Sequence, residues 1–128
     1  MKIEIIETDK AVKSSSPLSQ AIKVGESIYI SGQLGKNPET GKMGSSIEEQ
    51  THNALINLKY ITEEAGSDLD HVVKTTIFLV NLDDAPIVNK VYEKFFTNVK
   101  PTRSCIEISR LGGGGGALVE IEAIAVLK

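Results

Sequence analysis

The fold of this chain is decided by the segment Val119-Glu120-Ile121-Glu122-Ala123-Ile124-Ala125-Val126. Its side chains alternate between two faces, which predicts a β-strand. One face carries only apolar residues: Val119, Ile121, Ala123 and Ala125. The other face mixes Glu120 and Glu122 with Ile124 and Val126 and would be wet in a monomer. We therefore expect this second face of the sheet to be buried against another subunit.

Five further strands are predicted: three before the first helix, one between the two helices and one after the second helix. The segments before the first helix are Ile3–Ile6 and a hairpin, 21–31, that turns at Gly25-Glu26 and ends at Gly32. Residues 72–80 are rich in β-branched side chains and predict a central strand, and Arg103–Glu107 predict the strand that precedes the C-terminal one. The order β-β-β-α-β-α-β-β indicates an α+β sandwich, with two helices on one face of a mixed sheet. No linker divides residues 1–128, so a single domain is expected.

Both helices have recognisable ends. Ser46 and Glu49 predict a capping box at the start of the first helix, and Gly66 predicts its end. Asp83 or Asp84 is the expected cap of the second helix, with Pro86 in its first turn. The apolar faces are Ile47, Thr51, Ala54, Leu55, Leu58, Ile61 and Ala65 in the first helix, and Ile87, Val91 and Phe95 with Val88, Tyr92 and Phe96 in the second.

Composition and charge exclude several classes of function. The chain of 128 residues has a net charge of −3 and 5% aromatic residues, which disfavours a nucleic-acid partner. No apolar run approaches the roughly 20 residues that span a bilayer, so no membrane association is expected. A single cysteine excludes an internal disulfide and predicts a reducing compartment, the cytoplasm.

The candidate chemistry lies on the last two strands. Period-2 geometry puts Arg103 and Cys105 on one face of their strand, and Glu120 and Glu122 on one face of theirs. If these strands are close, a guanidinium, a thiol and a carboxylate meet in one place. Such a set could hold a small carboxylic acid and position a water molecule beside it.

Each of these residues also has a structural interpretation. Arg103 could be a surface residue paired with Glu107 or Glu122. Cys105 has no histidine near it in sequence and could be a small apolar filler, or could offer only its backbone N–H to a ligand. Glu120 and Glu122 could be solvated or ion-paired.

Two other features give no catalytic motif. His52 is expected to face solvent on the first helix and His71 to lie in a loop, and neither has a second ligand at metal spacing, so no metal site is predicted. The run Gly112–Gly116 lacks the Lys-Ser/Thr of a phosphate-binding loop and precedes a strand, which favours a flexible hairpin loop.

Several motifs together resemble the RidA/YjgF family of enamine/imine deaminases. The resemblance extends from about Pro17 to Val126, and the motifs that carry it are Ser31-Gly32-Gln33, Val73-Lys74-Thr75-Thr76-Ile77-Phe78, Val88-Asn89-Lys90-Val91-Tyr92, Pro101-Thr102-Arg103-Ser104-Cys105 and Glu120-Ile121-Glu122-Ala123-Ile124-Ala125. It implies a chorismate-mutase-like α+β fold and a homotrimer, with active sites in clefts between subunits.

The resemblance also implies an activity. Active members hydrolyse 2-imino acids such as 2-iminopropanoate and 2-iminobutanoate, and the enamines that precede them, such as 2-aminoacrylate, to 2-keto acids and ammonia. These intermediates come from PLP-dependent dehydratases and damage other PLP enzymes. No metal or organic cofactor is implied, and the expected partners are small imino and keto acids.

The family pattern assigns roles to the residues of the last two strands. Arg103 matches the arginine that grips the substrate carboxylate, and Cys105 matches the cysteine whose backbone N–H supports the substrate. Ser104 lies between them in the same substrate-binding segment. Glu120 matches the glutamate that orients or activates the attacking water.

Three further residues complete the expected site. Gly32 allows close approach of the backbone, and Asn89 matches an asparagine beside the pocket. Leu18 departs from the pattern, because the family's deaminases carry tyrosine there and leucine lacks its ring face and hydroxyl. This departure leaves a rival hypothesis open, a non-enzymatic trimer that binds small carboxylates or acts like a chaperone. Endoribonuclease activity, described for some relatives, fits poorly with the acidic charge.

Overall fold

The structure, a computed structural model, describes all residues from 1 to 128. It contains six strands and two α-helices. The elements are β1 (Ile3–Ile6), β2 (Ala21–Val24), β3 (Ser27–Leu34), α1 (Ile47–Glu64), β4 (Val72–Leu79), α2 (Ala85–Phe95), β5 (Thr102–Glu107) and β6 (Val119–Val126). Short 3₁₀ turns, Leu69–His71 and Leu82–Asp84, precede β4 and α2. The predicted element order is confirmed.

All six strands form one sheet, in the spatial order β1-β2-β3-β6-β4-β5. Every neighbouring pair is antiparallel except β4 and β5, which are parallel. A parallel pair needs a crossover connection, and α2 provides it. The predicted α+β fold with a mixed sheet and two helices is therefore confirmed.

The core lies between the helices and one face of the sheet. It is one continuous cluster, to which Ile28, Ile77 and Ile121 contribute from the strands and Leu55 and Leu58 from α1, all fully buried. Burial of this apolar surface is the main stabilising term of the fold. Neither helix is long and apolar enough to cross a membrane.

The start of α1 forms half of the predicted capping box. The Ser46 hydroxyl accepts the backbone N–H of Glu49 at 3.1 Å. The Glu49 carboxylate accepts from the Ser45 hydroxyl at 2.9 Å, and no bond to the Ser46 N–H is formed. The Ser45 hydroxyl thus takes the place of the expected backbone donor. Gly66 has a φ of 91° after the last turn, so the predicted helix end is confirmed.

The start of α2 matches the prediction in part. Asp84 occupies the predicted N-cap position, but its side chain makes no capping bond. A 3₁₀ turn precedes the helix, and the Asn81 side chain accepts the Asp83 N–H at 3.0 Å. Pro86 lies in the first turn, as predicted. Ile87 is exposed, so its assignment to the apolar face is wrong. The face is formed by Val88, Val91, Tyr92 and Phe96, and the half-buried Phe95 packs against the core as well.

Strand β3 continues past the point where the sequence predicts its end. The register with β6 shifts between Ile30 and Gln33, so that Gly32 sits in a bulge and the strand extends to Leu34. Gly32, which the sequence predicts to end the strand, is therefore a bulge residue within it.

The face of the sheet that the helices do not cover is partly apolar, as predicted. Tyr29 is 51% exposed on this open face, and Ile124 and Val126 are only half-buried. These side chains lie beside Glu120 and Glu122, so apolar and acidic groups share the open face.

Candidate functional site

Strand register places Arg103 and Cys105 on the helix-covered face of the sheet. Arg103 is in register with Thr75, and Cys105 is in register with Ile77. Residues in register project to the same face. Thr75 and Ile77 are both fully buried on the side of the helices, so the Arg103 and Cys105 side chains lie on that side too.

The glutamates lie on the opposite face. Glu120 is in register with Phe78 and Glu122 with Thr76, one position out of phase with the buried pair. Strand β4 also separates β5 from β6. The Arg103 guanidinium and the Glu120 carboxylate therefore do not meet within one chain. The expected proximity of the two strands is not found in a single chain.

Arg103 lies in a groove of about 280 Å³ between α2 and the start of β5. This Arg103 groove is lined by Asn89, Tyr92, Glu93, Phe96, Lys100, Pro101 and Arg103. The Arg103 Cζ lies 5.1 Å from the centroid of the Tyr92 ring, within cation–π range. The Tyr92 hydroxyl is 2.8 Å from the Thr75 hydroxyl oxygen, which fixes the ring beneath the guanidinium.

Arg103 makes no ion pair in the chain. The structural interpretation that paired it with Glu107 is wrong, because the Glu107 carboxylate accepts the backbone N–H of Leu82 at 2.9 Å. Glu122, the other candidate, lies on the opposite face. The exposed guanidinium is free to bind an anion in a bidentate manner.

Cys105 is half-buried, and burial raises the pKa of its thiol, with the Arg103 charge opposing the rise. A raised pKa lowers the thiolate fraction at neutral pH, which disfavours a nucleophilic role. The backbone N–H of Cys105 is better placed than its thiol to contact a ligand. Ile108 donates its N–H to Leu79 of β4, and N–H groups alternate along a strand, so the Cys105 N–H points to the open edge of β5.

Glu120 lies in a second cleft, of about 480 Å³. Three segments of the chain line this Glu120 cleft together with Glu120, Leu18 and Gln20: 12–16, 32–36 (without Gly35), and 112–113. Gly32 lies against the glutamate, since a Cβ on it would be 2.5 Å from Glu120 Oε1. The bulge in β3 thus gives the carboxylate its space.

The environment of Glu120 favours its neutral form. Burial raises the pKa of the Glu120 carboxyl, and the nearby charge of Glu122 raises it further. Both effects disfavour the carboxylate. A carboxyl group whose pKa is moved towards neutrality can exchange protons with water or substrate more readily.

The remaining predicted residues divide between the two places. Asn89 lines the Arg103 groove. Leu18 is 52% exposed and lines the Glu120 cleft. Ser104 is in register with Thr76, so its exposed side chain lies on the open face at the edge of the sheet.

Sequence reasoning missed two parts of the site. Tyr92 has the helical spacing typical of a core residue, and only the packing of α2 against β5 brings its ring beneath Arg103. Lys36 and the Ser14–Ser16 run lie in connecting segments without a recognisable motif. No group of three or more His, Cys, Asp or Glu side chains is placed to hold a metal ion.

Comparisons with known proteins give one consistent result. Residues 8–127 match the profile of the family described as Endoribonuclease L-PSP. A RutC family protein of Pyrococcus abyssi is 46% identical over 98% of both chains. A chloroplastic Reactive Intermediate Deaminase A of Arabidopsis thaliana is 43% identical over 99% of this chain and 67% of its own. Escherichia coli TdcF, solved with bound serine, superposes with a TM-score of 0.92 at 34% identity, covering 98% of this chain and 99% of that one.

Proposed function

The chain belongs to the RidA/YjgF family, and on this basis we propose that it hydrolyses reactive 2-imino acids and their enamines to 2-keto acids and ammonia. The substrates would include 2-aminoacrylate, 2-iminopropanoate and 2-iminobutanoate. The observation that carries the proposal is an exposed guanidinium without an ion pair, in a chain that also offers a carboxyl group with a raised pKa in an open cleft.

The two halves of the site would be joined by oligomerisation. Arg103, Cys105 and Asn89 lie on the helix-covered side of the β5 edge, whereas Glu120 lies on the open face. A homotrimer that packs its open faces together would bury Tyr29 and the apolar side chains beside it. It would also bring the β5 edge of one subunit to the Glu120 cleft of the next. We infer that each active site combines two subunits.

The roles of the residues follow from their chemistry. The Arg103 guanidinium binds the substrate carboxylate, and the outward Cys105 N–H donates to the same end of the substrate. The imine nitrogen is protonated, which makes its carbon electrophilic. Glu120 accepts a proton from water as the water oxygen bonds to that carbon. Glu120 passes this proton to the nitrogen of the tetrahedral intermediate, and it then takes the hydroxyl proton as the C–N bond breaks, the C=O bond forms and ammonia leaves.

Small imino and keto acids are the partners that this site would accept. The bound serine of TdcF shows that one relative binds an α-amino acid, which carries the same carboxylate group. The free thiol of Cys105 is compatible with work in a reducing compartment, and we infer the cytoplasm.

The rival function is binding of small carboxylates without catalysis. It is favoured by Leu18, whose side chain lines the Glu120 cleft and has no hydroxyl to contact the imine end of a substrate. It predicts that pyruvate or 2-oxobutanoate raises the Tm of the protein, and that the protein does not accelerate the hydrolysis of imines.

The test is the release of keto acid from imines that an amino acid oxidase generates in situ, with semicarbazide trapping of the remaining imine. We expect the wild type to reduce trapping and Arg103→Ala to lower kcat/KM by about 100-fold or more, since orientation of the substrate is lost. The matched control is Arg110→Ala, another exposed arginine, which should retain full activity.

Two results would separate the hypotheses. An inert wild type with an active Leu18→Tyr variant would support the binding function and an intact carboxylate clamp. Full activity of Arg103→Ala would contradict the proposed role of Arg103.

RNA should remain uncut by preparations free of ribonuclease, despite the description of the family profile, because the chain is acidic and poor in aromatic residues.

A further inference from the structure

Helix α1 buries three amide side chains that its apolar periodicity does not explain. Gln50, Asn53 and Asn57 are 2%, 5% and 1% exposed. Their spacing, i, i+3 and i+7, places them along one face of the helix, and we name this set the amide row. Each side chain is hydrogen-bonded to backbone groups of segments outside α1.

Gln50 uses both ends of its amide. Its Nε2 donates to the carbonyl oxygens of Gly44, at 2.9 Å, and Gly116, at 2.7 Å. Its Oε1 accepts the backbone N–H of Leu118 at 2.8 Å. The side chain therefore joins the end of the glycine run to the residue that lies two positions before Glu120.

Asn53 and Asn57 hold two other segments. Asn53 Nδ2 donates to the carbonyl oxygen of Gly35 at 3.1 Å, and Asn57 Nδ2 donates to that of Lys36 at 2.8 Å. Asn57 Oδ1 accepts the backbone N–H of Val12 at 2.9 Å. The amide row thus binds the end of β3 and the N-terminal segment as well.

These attachment points lie in the walls of the Glu120 cleft or a few residues from them. The cleft is lined by residues 12–16, by residues of the segment 32–36, and by Gly112 and Gly113 at the start of the glycine run. Val12 and Lys36, which line the cleft, are bonded directly to Asn57, and the glycine run is held by Gln50 at Gly116, three residues after Gly113. No other helix face in the chain makes such a set of contacts.

We propose that the amide row consists of positioning residues that set the shape of the Glu120 cleft, with Gln50 fixing both the glycine run and the backbone that leads to Glu120. The proposal rests on the proposed function for its catalytic consequence, but the structural restraint itself is independent of that function.

The glycine run is the segment that most needs such a restraint. Gly113, Gly114 and Gly116 have φ values of 87°, 115° and 84°, which only glycine adopts without strain. Glycine also retains the most backbone freedom, so ordering this run is costly in conformational entropy. The Gln50 bonds to Gly116 and Leu118 limit that freedom at the C-terminal end of the run.

The test compares Gln50→Met with Thr62→Val. Methionine keeps the length of the side chain and removes all three hydrogen bonds. Thr62 is also fully buried on α1, but its hydroxyl bonds only to the Leu58 carbonyl of the same helix. Thr62→Val is therefore a control for loss of a buried hydrogen bond that does not involve the cleft.

We expect Gln50→Met to increase the fast motion of residues 112–116 in ¹⁵N relaxation and to speed hydrogen exchange of the Leu118 amide. Thr62→Val should change neither. In the imine assay, Gln50→Met should lower kcat by about tenfold or more through misplacement of Glu120, with a smaller change in KM. Thr62→Val should retain the wild-type kcat.

Unchanged relaxation and exchange in Gln50→Met would overturn the proposal, as would an equal loss of kcat in Thr62→Val. If Gln50→Met does not fold, Gln50→Asn replaces it. This variant keeps an amide but is shorter by one methylene, so it cannot reach Gly44, Gly116 and Leu118 together, and both the motion of 112–116 and the exchange of Leu118 should rise. An inactive wild type would refute the proposed function, and the relaxation and exchange data would still decide the restraint.

Discussion

At the scale of single residues, the molecule holds a cation and an acid under different constraints. Arg103 is exposed and rests on the Tyr92 ring, which orients the guanidinium without neutralising it. Glu120 is half-buried, and its pKa is raised by burial and by Glu122. The cation thus has no counter-ion within the chain, while the raised pKa of the acid favours proton exchange.

Gly32→Ala tests whether the space beside Glu120 is functional. A Cβ at this position would lie 2.5 to 2.8 Å from three side-chain atoms of Glu120, so the carboxylate must move. We expect kcat to fall by about tenfold or more, with folding preserved, because Gly32 does not have a positive φ. Gly115→Ala, where a Cβ meets open space, is the control, and equal activity of the two variants would contradict this role.

Glu122→Gln tests the electrostatic tuning through the pH dependence of kcat. In the proposed mechanism the Glu120 carboxylate accepts a proton from water, so activity should be present above the pKa of Glu120 and lost as pH falls through it. Glu122 contributes to the raised pKa of Glu120, after burial, and its removal should move the acid limb of the profile to lower pH. An unmoved limb, or the same movement in the exposed control Glu64→Gln, would be evidence against it.

At the scale of elements, α1 has two faces with different tasks. Its apolar residues, such as Leu55 and Leu58, bury against the sheet and stabilise the fold. Its amide row binds the segments that wall the Glu120 cleft. Gly35 makes this arrangement possible, because a Cβ there would lie 2.3 to 2.4 Å from the Gln50 Cβ and Cα. The helix is both a core element and a template for the cleft.

The half-formed capping box gives a stability prediction for α1. Ser46→Ala removes the acceptor for the Glu49 N–H and should lower the free energy of unfolding by about 1 kcal/mol. Glu49→Gln only weakens an exposed bond with the Ser45 hydroxyl and should cost less than about 0.5 kcal/mol. Urea unfolding of both variants measures this difference, and equal losses would contradict it.

At the scale of the whole molecule, the arrangement of strands separates the two halves of the site. Arg103 and Glu120 project from opposite faces of one sheet, so a single chain holds each half but not the assembled whole. The exposed Tyr29 and its half-buried neighbours provide the apolar surface over which subunits would associate. Under the proposed function, assembly is therefore a condition of catalysis.

Mixing two inactive variants tests this condition. Arg103→Ala and Glu120→Gln should each be nearly inactive in the imine assay. When they are refolded together in equal amounts, random assembly should place an intact Arg103 next to an intact Glu120 in roughly a quarter of the sites. Activity should return to about that fraction of the wild type. Absence of any recovery, with mixed trimers shown by mass spectrometry, would contradict a site shared between subunits.

Local sequence determined the secondary structure elements of this protein and their order. The alternation of β6, the helical periodicity of α1, and the stop at Gly66 all depend on neighbouring residues, so the elements and their order could be predicted. The same alternation predicted an open sheet face that mixes apolar and acidic residues. The candidate residues Arg103 and Glu120 were also visible, because their chemistry and their motifs lie in short segments.

The tertiary structure alone decided how these parts meet. The pairing of β6 with β3 and β4 places β4 between β5 and β6, and the register puts Arg103 and Glu120 on opposite faces. The bulge at Gly32, the Tyr92 ring under Arg103 and the amide row of α1 likewise arise from contacts between residues far apart in the chain. Such contacts depend on strand order and packing, which periodicity does not encode, because it fixes the face of a side chain within its element but not the neighbour opposite it.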